Sequence, residues 1–244
     1  MRCVHEAQMH SDNSFVTLTY NDENLPYGGT LVKKDWQDFM KRLRWHVKVP
    51  VRYYYAGEYG EQTLRPHYHA CLFGFDPPDK QVYTKRGEHV LYTSELLTSI
   101  WGKGFVSVGT VTFESAGYVA RYCMKKVTGK KAEEHYRRVD TRTGEIVDVL
   151  PEYADMSRRP GIGAEWLSLY GDETYAHDSV IVNEREVLPP KYYDAKRPEE
   201  EMLRVKAARV RGAKAHSEDS TMARLRVREQ VKEAQVKSLK RGVE

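Results

Sequence analysis

Two runs rich in β-branched and aromatic residues, Val51 to Ala56 and His67 to Phe73, are separated only by Gly57 to Pro66, which contains the short polar loop Glu61 to Arg65. Runs this close in sequence pair most readily with each other, so the segment predicts an antiparallel hairpin. A hairpin in the middle of the chain restricts the fold to one containing a mainly antiparallel sheet. Phe15 to Tyr20 adds a further strand, and Phe105 to Phe113 alternates as a fourth. Asp35 to Val47 places Trp36, Phe39, Met40, Leu43 and Val47 at helical spacing, with Lys41, Arg42 and Arg44 on the opposite side. Ser94 caps a second helix that runs to Trp101 and stops at Gly102. A third helix spans Ser115 to Val127, and a short one covers Trp166 to Tyr170.

Between these elements, Asp76 to Glu88 reads as loop. Lys130 to Asp148 reads as an exposed loop or hairpin around Thr141-Arg142-Thr143-Gly144, and Met156 to Gly163 carries turn chemistry. Helices interspersed with strands around a central hairpin indicate the α+β class. The expected division is a folded domain over residues 1–194 and a basic, charged helical tail over 195–244.

Hydrophobic residues make up 40% of the 244 and charged residues 30%, enough for a packed core and too much for a disordered chain. The net charge of +4 is unevenly spread. Residues 195–244 hold 14 Lys plus Arg against 8 Asp plus Glu, a balance of +6, which leaves 25 against 27, or −2, for residues 1–194. The tail is either a solvated helical face or an auxiliary phosphate contact. No apolar run approaches the roughly 18 residues of a membrane span. Met1 to Ser14 lacks the apolar core of an export signal. Three scattered cysteines, Cys3, Cys71 and Cys123, form no disulfide framework and suit a reducing interior, with Cys71 and Cys123 acting as small hydrophobes.

The chemistry concentrates in two places. In Pro66-His67-Tyr68-His69-Ala70, a strand sends His67 and His69 to one face, roughly 7 Å apart, and Tyr68 to the other. Glu58 in Ala56-Gly57-Glu58-Tyr59-Gly60 lies within reach of that face. Two imidazoles and a carboxylate suit a divalent cation with open positions, and a phosphate substrate favours Mg2+ or Mn2+. A His-x-His strand also occurs in ordinary cores.

The second place is Tyr118-Val119-Ala120-Arg121-Tyr122-Cys123-Met124-Lys125-Lys126. On a helix Tyr118 and Tyr122 share a face with Lys125. The pattern fits a core stripe or a polar cleft, and the lysine favours the cleft. Forming a phenolate at pH 7 costs about 4 kcal/mol from a reference pKa near 10. A neighbouring cation recovers about 1–3 pKa units, and fixed positioning contributes up to about 7–11 kcal/mol, so a tyrosine nucleophile is energetically feasible.

These residues resemble the HUH endonucleases, specifically the two-tyrosine initiators of rolling-circle replication. Phe15 to Tyr20, Gly57-Glu58-Tyr59-Gly60, Arg65-Pro66-His67-Tyr68-His69-Ala70 and Met156 to Gly163 are similar to the initiators of microviruses, small single-stranded-DNA phages of the gokushovirus kind. The resemblance covers roughly residues 2 to 170. It implies a five-stranded mainly antiparallel sheet flanked by helices, with His67, His69 and Glu58 as metal ligands and Tyr118 and Tyr122 as nucleophiles. Lys125 matches the lysine after the second tyrosine. Phe15 to Tyr20 corresponds to the first motif, packed near the DNA site. Tyr68 stands where the family has a bulky aliphatic, a change that faces away from the ligands.

The chain opens almost directly at Arg2-Cys3-Val4-His5, without the cysteine-rich stretch such initiators often carry. The implied activity is metal-dependent nicking and rejoining of single-stranded or supercoiled viral DNA at an origin, in the cytoplasm of a bacterial host. Host helicase and polymerase are implied partners, and a membrane is not. Arg65, Arg121, Lys126, Arg158 and Arg159 are candidate DNA contacts, with Arg158 and Arg159 equally readable as a solvated turn.

Two other classes fit parts of the pattern. One is a non-catalytic single-stranded nucleic-acid-binding protein. The other is an iron oxygenase, drawing a further ligand from His89, His135 or His177.

Overall fold

A computed structural model describes residues 1–86, 89–140 and 143–238, with the side chains of 86, 89 and 122–125 outside the description. In chain order the elements begin with α1 (Arg2–Ala7), β1 (Asn13–Tyr20), α2 (Lys33–Val47), β2 (Arg52–Tyr59), β3 (Pro66–Phe73), β4 (Gln81–Arg86) and β5 (His89–Thr93). They continue with α3 (Glu95–Trp101), β6 (Gly104–Gly109), α4 (Phe113–Lys125), α5 (Lys131–Tyr136), β7 (Arg137–Val139), β8 (Ile146–Asp148), β9 (Tyr153–Met156) and α6 (Ala164–His177). The chain closes with β10 (Val180–Val182), β11 (Arg185–Val187), α7 (Lys191–Asp194), α8 (Glu199–Ala215) and α9 (Met222–Ser238). Two compact units result, Met1–Leu169 and Tyr170–Glu244.

Among the described residues the first unit holds one sheet in the order β4-β5-β6-β1-β3-β2-β9, antiparallel at every pairing. Alternation in β1 sends Val16, Leu18 and Tyr20 to one face, where α2 and α3 bury Trp36, Phe39, Met40, Leu43, Leu97 and Trp101 against them. Trp36 stacks on Tyr55 at 4.1 Å between ring centroids. Each of these large apolar side chains contributes about 1.5–3 kcal/mol on burial, so this layer anchors the sheet.

On the opposite face Phe15, Ala56, Cys71 and Phe73 meet Ala116, Tyr118 and Val119 of α4, with Cys3 and Ala7 of α1 packed beside them. β3 is central and buried on both faces throughout. That explains why its sequence is apolar at nearly every position except the two histidines.

Local signals set the helix ends. The Ser94 hydroxyl accepts from Leu97 N at 3.1 Å, and Gly102 closes α3 at φ 64°. Thr112 and Ser115 form a reciprocal capping box that starts α4. Gly104 is obligatory for close approach, since a Cβ there would sit 2.3 Å from the Thr19 carbonyl oxygen.

The α+β class holds, with seven strands in the sheet instead of five. The additional edge strands are short or exposed. β4 lies within the stretch read as loop, and its Val82 and Tyr83 face solvent, so no alternation marks it. β9 is four residues long. β6 ends at Gly109, short of Phe113, because Thr112 turns the chain into the capped start of α4. The stretch 130–148 contains α5 and the β7–β8 pair, and the tip residues Thr141 and Arg142 lie outside the described residues.

β2 extends three residues past Ala56, through Gly57, which in the sequence reads as a terminator. A Cβ at Gly57 would come within 3.0 Å of Leu31 Cδ2 and 3.2 Å of the Tyr153 ring, so this glycine permits packing inside a strand.

In the second unit several basic side chains are held by acidic neighbours. Arg209 reaches both Asp178 and Asp194, Arg197 reaches Asp172 and Glu201, and Arg204 reaches Glu200. Part of the tail's positive charge is therefore satisfied internally. No helix among the described residues is long and apolar enough to cross a membrane.

Candidate functional site

Because β2 continues through Tyr59, its register with β3 sets Glu58 opposite His67 and Ala56 opposite His69. On the other side of β3, Thr17 of β1 pairs with His69, and Thr19 pairs with His67. Cross-strand partners share a face. Glu58, His67, His69, Thr17 and Thr19 therefore gather on one side of the sheet, near the end where β2 finishes and β3 starts. Tyr68 points to the other side, where its hydroxyl accepts from Val32 N at 3.0 Å and lies 2.8 Å from the Tyr20 hydroxyl.

Glu58 and His69 are each 2% exposed, and His67 is 8% exposed. His69 Nε2 lies 2.9 Å from Glu58 Oε1, and His67 Nε2 lies 4.0 Å from the same oxygen. The three donor atoms fall within 4.8 Å of one another, the metal-binding group found among the described residues. Octahedral ligands at about 2.1 Å from a Mg2+-sized ion stand about 3.0 Å apart as neighbours and about 4.2 Å apart across the ion. The observed separations bracket those values, so the trio fits a small divalent cation with positions left open. A carboxylate and two imidazoles are also a donor set that such ions accept.

Thr17 completes the arrangement. Its Oγ1 lies 2.9 Å from His69 Nδ1. A hydroxyl can donate or accept, so it serves either tautomer of the ring. When Nε2 is a ligand, Nδ1–H donates to Oγ1 and fixes the ring plane, the usual outer contact of a metal-bound histidine. Sequence reasoning missed Thr17. The available signal was a threonine on the same strand face as Phe15, at a position where a core strand would ordinarily place an apolar residue.

α4 brings Tyr118 to the site. Its ring meets the His69 ring edge-on at 5.2 Å between centroids and the Phe15 ring at 6.3 Å, and it is buried among Ala116, Val119 and Ile162. The Arg121 guanidinium stands over the Tyr118 ring at 5.7 Å. Tyr122 follows one turn later on α4, about 6 Å along the axis, and Lys125 ends the helix. The side chains of both Tyr122 and Lys125 lie outside the described residues.

The end of α4 is held by Tyr136, whose hydroxyl accepts from Val127 N at 2.9 Å and donates to the buried Glu152 at 2.5 Å. Burial and that carboxylate push the Tyr136 phenol up to about 12, so it stays a protonated donor.

The proposed DNA contacts are dispersed. Arg65 sits at the site end of the sheet, donating to the Tyr20 carbonyl at 2.9 Å and pairing with Asp22. Lys126 is exposed just past α4. Arg158 and Arg159 are exposed beyond β9, where Ser157 N donates to the Tyr53 carbonyl. Arg158 is paired with Asp155 at 2.7 Å. That is the opposite end of β2, about 20 Å from Glu58 by strand rise, so the structure does not bring this pair to the trio.

Of the histidines considered as further ligands, His135 stacks beside Tyr136 and His177 ends α6, neither in the metal-binding group. The side chain of His89 lies outside the described residues.

Fold and site together describe a replication-associated protein of the kind encoded by small phages. Residues 13–127 match the family model of the replication-associated protein of the ORF2 and gene-2-protein type, a span containing Glu58, both histidines, both tyrosines and Lys125. The chain is 36% identical over 204 residues to replication-associated protein VP4 of Bdellovibrio phage phiMH2K, covering 79% of this chain and 60% of that protein. It is 32% identical over 196 residues to replication-associated protein ORF2 of Spiroplasma virus 4, covering 75% and 57%. A 131-residue match at 34% identity to replication-associated protein ORF4 of Chlamydia phage 1 covers 50% and 32%. The chain thus spans about three fifths of the length of the first two relatives. The resemblance to microvirus initiators read from the sequence holds. No solved structure matches the chain.

Proposed function

We propose that the chain is an HUH-type endonuclease that initiates rolling-circle replication by nicking single-stranded DNA at an origin and rejoining it. The observation that carries the reading is the buried Glu58–His67–His69 trio with the edge of the Tyr118 ring against His69. A divalent cation, Mg2+ or Mn2+, held by those three side chains would neutralise charge on the scissile phosphate. Tyr118 Oη attacks phosphorus, the bond from phosphorus to the 3′ oxygen breaks, and the phenolic proton passes to the departing 3′ oxygen. The products are a 5′-phosphotyrosyl protein and a free 3′-hydroxyl that primes synthesis.

Tyr122, one turn away, attacks the regenerated junction after a round of copying, and a closed circle leaves. One phosphodiester is exchanged for another at each step, so no nucleotide cofactor is required. Arg121 over the Tyr118 ring favours the phenolate electrostatically. Arg65 and Lys126 are the charged groups at this end for the DNA backbone, and Lys125 is read as an acid or charge partner for the phenols. The proposed setting is the cytoplasm of a bacterial host, with host helicase and polymerase extending the primed strand.

A passive single-stranded-DNA-binding protein is the second reading, favoured by the burial of Tyr118 within a packed cluster. Oligonucleotides tiled across the genome that encodes the chain, incubated with Mn2+, separate the two. Wild-type protein is expected to give a covalent protein–DNA band that EDTA abolishes, and the double variant Tyr118→Phe/Tyr122→Phe is expected to give none. A band that persists in the double variant refutes the nucleophile assignment. Chelator-insensitive binding with no band supports the passive reading.

A further inference from the structure

The helix that covers the site side of the sheet is α4, and it lies over β2, β3 and β9. β6, on the far side of β1, keeps its other face under α3, where Val106 and Val108 are buried. Its residues on the site side, Phe105, Ser107 and Gly109, are exposed or half-buried. Phe105 is 68% exposed. An isolated exposed phenylalanine on a surface is ordinary. This one is placed by register, since Thr19 pairs with His67 on one side and with Phe105 on the other. His67, Thr19 and Phe105 thus form a row across β3, β1 and β6, about 10 Å from first to last at the usual strand spacing.

Arg65 and Lys103 stand at the same end of the sheet. Arg65 donates to the Tyr20 carbonyl, and Lys103 immediately precedes β6. An aromatic face open to solvent, continuous with a phosphate-cleaving site and bordered by two cations, has the components of a single-strand binding groove.

We infer that Phe105 is a stacking platform for a base of single-stranded DNA adjoining the scissile phosphate. This rests on the nicking activity proposed above only for the identity of the strand, because stacking requires neither metal nor tyrosine. Gly104 supports the platform, since the close approach of its Cα to the Thr19 carbonyl fixes where the next side chain emerges.

The test is equilibrium binding of full-length protein to a fluorescein-labelled oligo-dT of about 20 nucleotides in EDTA, where no cleavage competes and the strand is long enough to fill a binding groove. The series is wild type, Phe105→Ala and Phe105→Trp, at several salt concentrations. Phe105→Ala is expected to weaken binding about 5- to 150-fold, the equivalent of about 1–3 kcal/mol for one stacked base. Phe105→Trp is expected to bind at least as tightly as wild type, with added tryptophan quenching when DNA is bound. The salt slope is expected to be unchanged in both variants, because no phosphate contact is removed. Little buried area is lost at a side chain so exposed, so the variants are expected to melt with wild type.

Wild-type affinity in Phe105→Ala, equal losses in the Ala and Trp variants, or no binding by the wild type overturns the inference. Nicking by a wild type whose Phe105→Ala variant binds normally refutes the platform alone. Stacking-dependent binding by a protein that never nicks refutes the catalytic reading alone.

Discussion

Replacing Thr17 by Val keeps the β-branched shape that suits a strand and removes one oxygen. That oxygen lies 2.9 Å from His69 Nδ1, while His69 Nε2 faces Glu58. Without the hydroxyl, Nδ1 is a buried polar atom that has lost this partner, and the imidazole loses the contact that sets its plane. Loss of such an outer contact lowers metal affinity by about 10- to 100-fold, or about 1.4–2.7 kcal/mol. Isothermal titration of Mn2+ into wild type, Thr17→Val and Thr17→Ser measures it directly. The serine variant retains the hydroxyl and is expected to stay within about threefold of wild type. A control substitution, Thr98→Val, removes a hydroxyl bonded to the Ser94 carbonyl in α3 and is expected to leave Mn2+ binding unchanged. Wild-type affinity in Thr17→Val, or a serine variant as weak as the valine one, would refute the argument that Thr17 orients a metal-binding His69.

Other parts of the structure give further tests. Glu6, 1% exposed, accepts from Arg52 and, at 2.6 Å, from Gly163 N. Glu6→Gln breaks a buried pair worth about 3–5 kcal/mol when one partner is removed. For a chain of this size that amounts to a Tm drop of about 6–20 °C, and a drop below about 3 °C by calorimetry would contradict it. His5 stacks on Trp166 at 3.7 Å, and burial, reinforced by the neighbouring terminal amine, pushes it down from 6.5 to about 4. The unfolded chain then binds the extra proton first. The stability contribution is full above pH 6.5 and is lost as pH falls toward 4, by about 3 kcal/mol in all. His5→Phe, which keeps the ring and removes the proton site, is expected to flatten the denaturation midpoint across that window, and an unchanged pH profile would count against the assignment to His5.

The elements legible in the sequence are those whose signal is local. Alternation in β1, the 3.6-residue spacing of Trp36, Phe39, Met40 and Leu43, the Ser94 cap and the hairpin of β2 and β3 each follow from residues a few positions apart. The edge strands β4 and β9 are not legible, because an edge buries little and so imposes little pattern. The end of β2 is concealed because Gly57 resembles a turn glycine. Only the side chains of Leu31 and Tyr153, distant in sequence, show that it is a packing glycine.

By itself the sequence determined the α+β class and the side of β3 on which the two imidazoles stand, since strand geometry leaves no other choice for residues two apart. It also placed Tyr118 and Tyr122 one helical turn from each other. Tertiary structure alone decided that Glu58 stands opposite His67, that Thr17 reaches His69, that α4 sets Tyr118 on the same face, and that Arg158 and Arg159 lie at the far end of the sheet. The reason is physical. Periodicity states which way a side chain points relative to its own backbone, whereas the distance between two strands or between a helix and a sheet depends on register and packing that many remote residues set jointly.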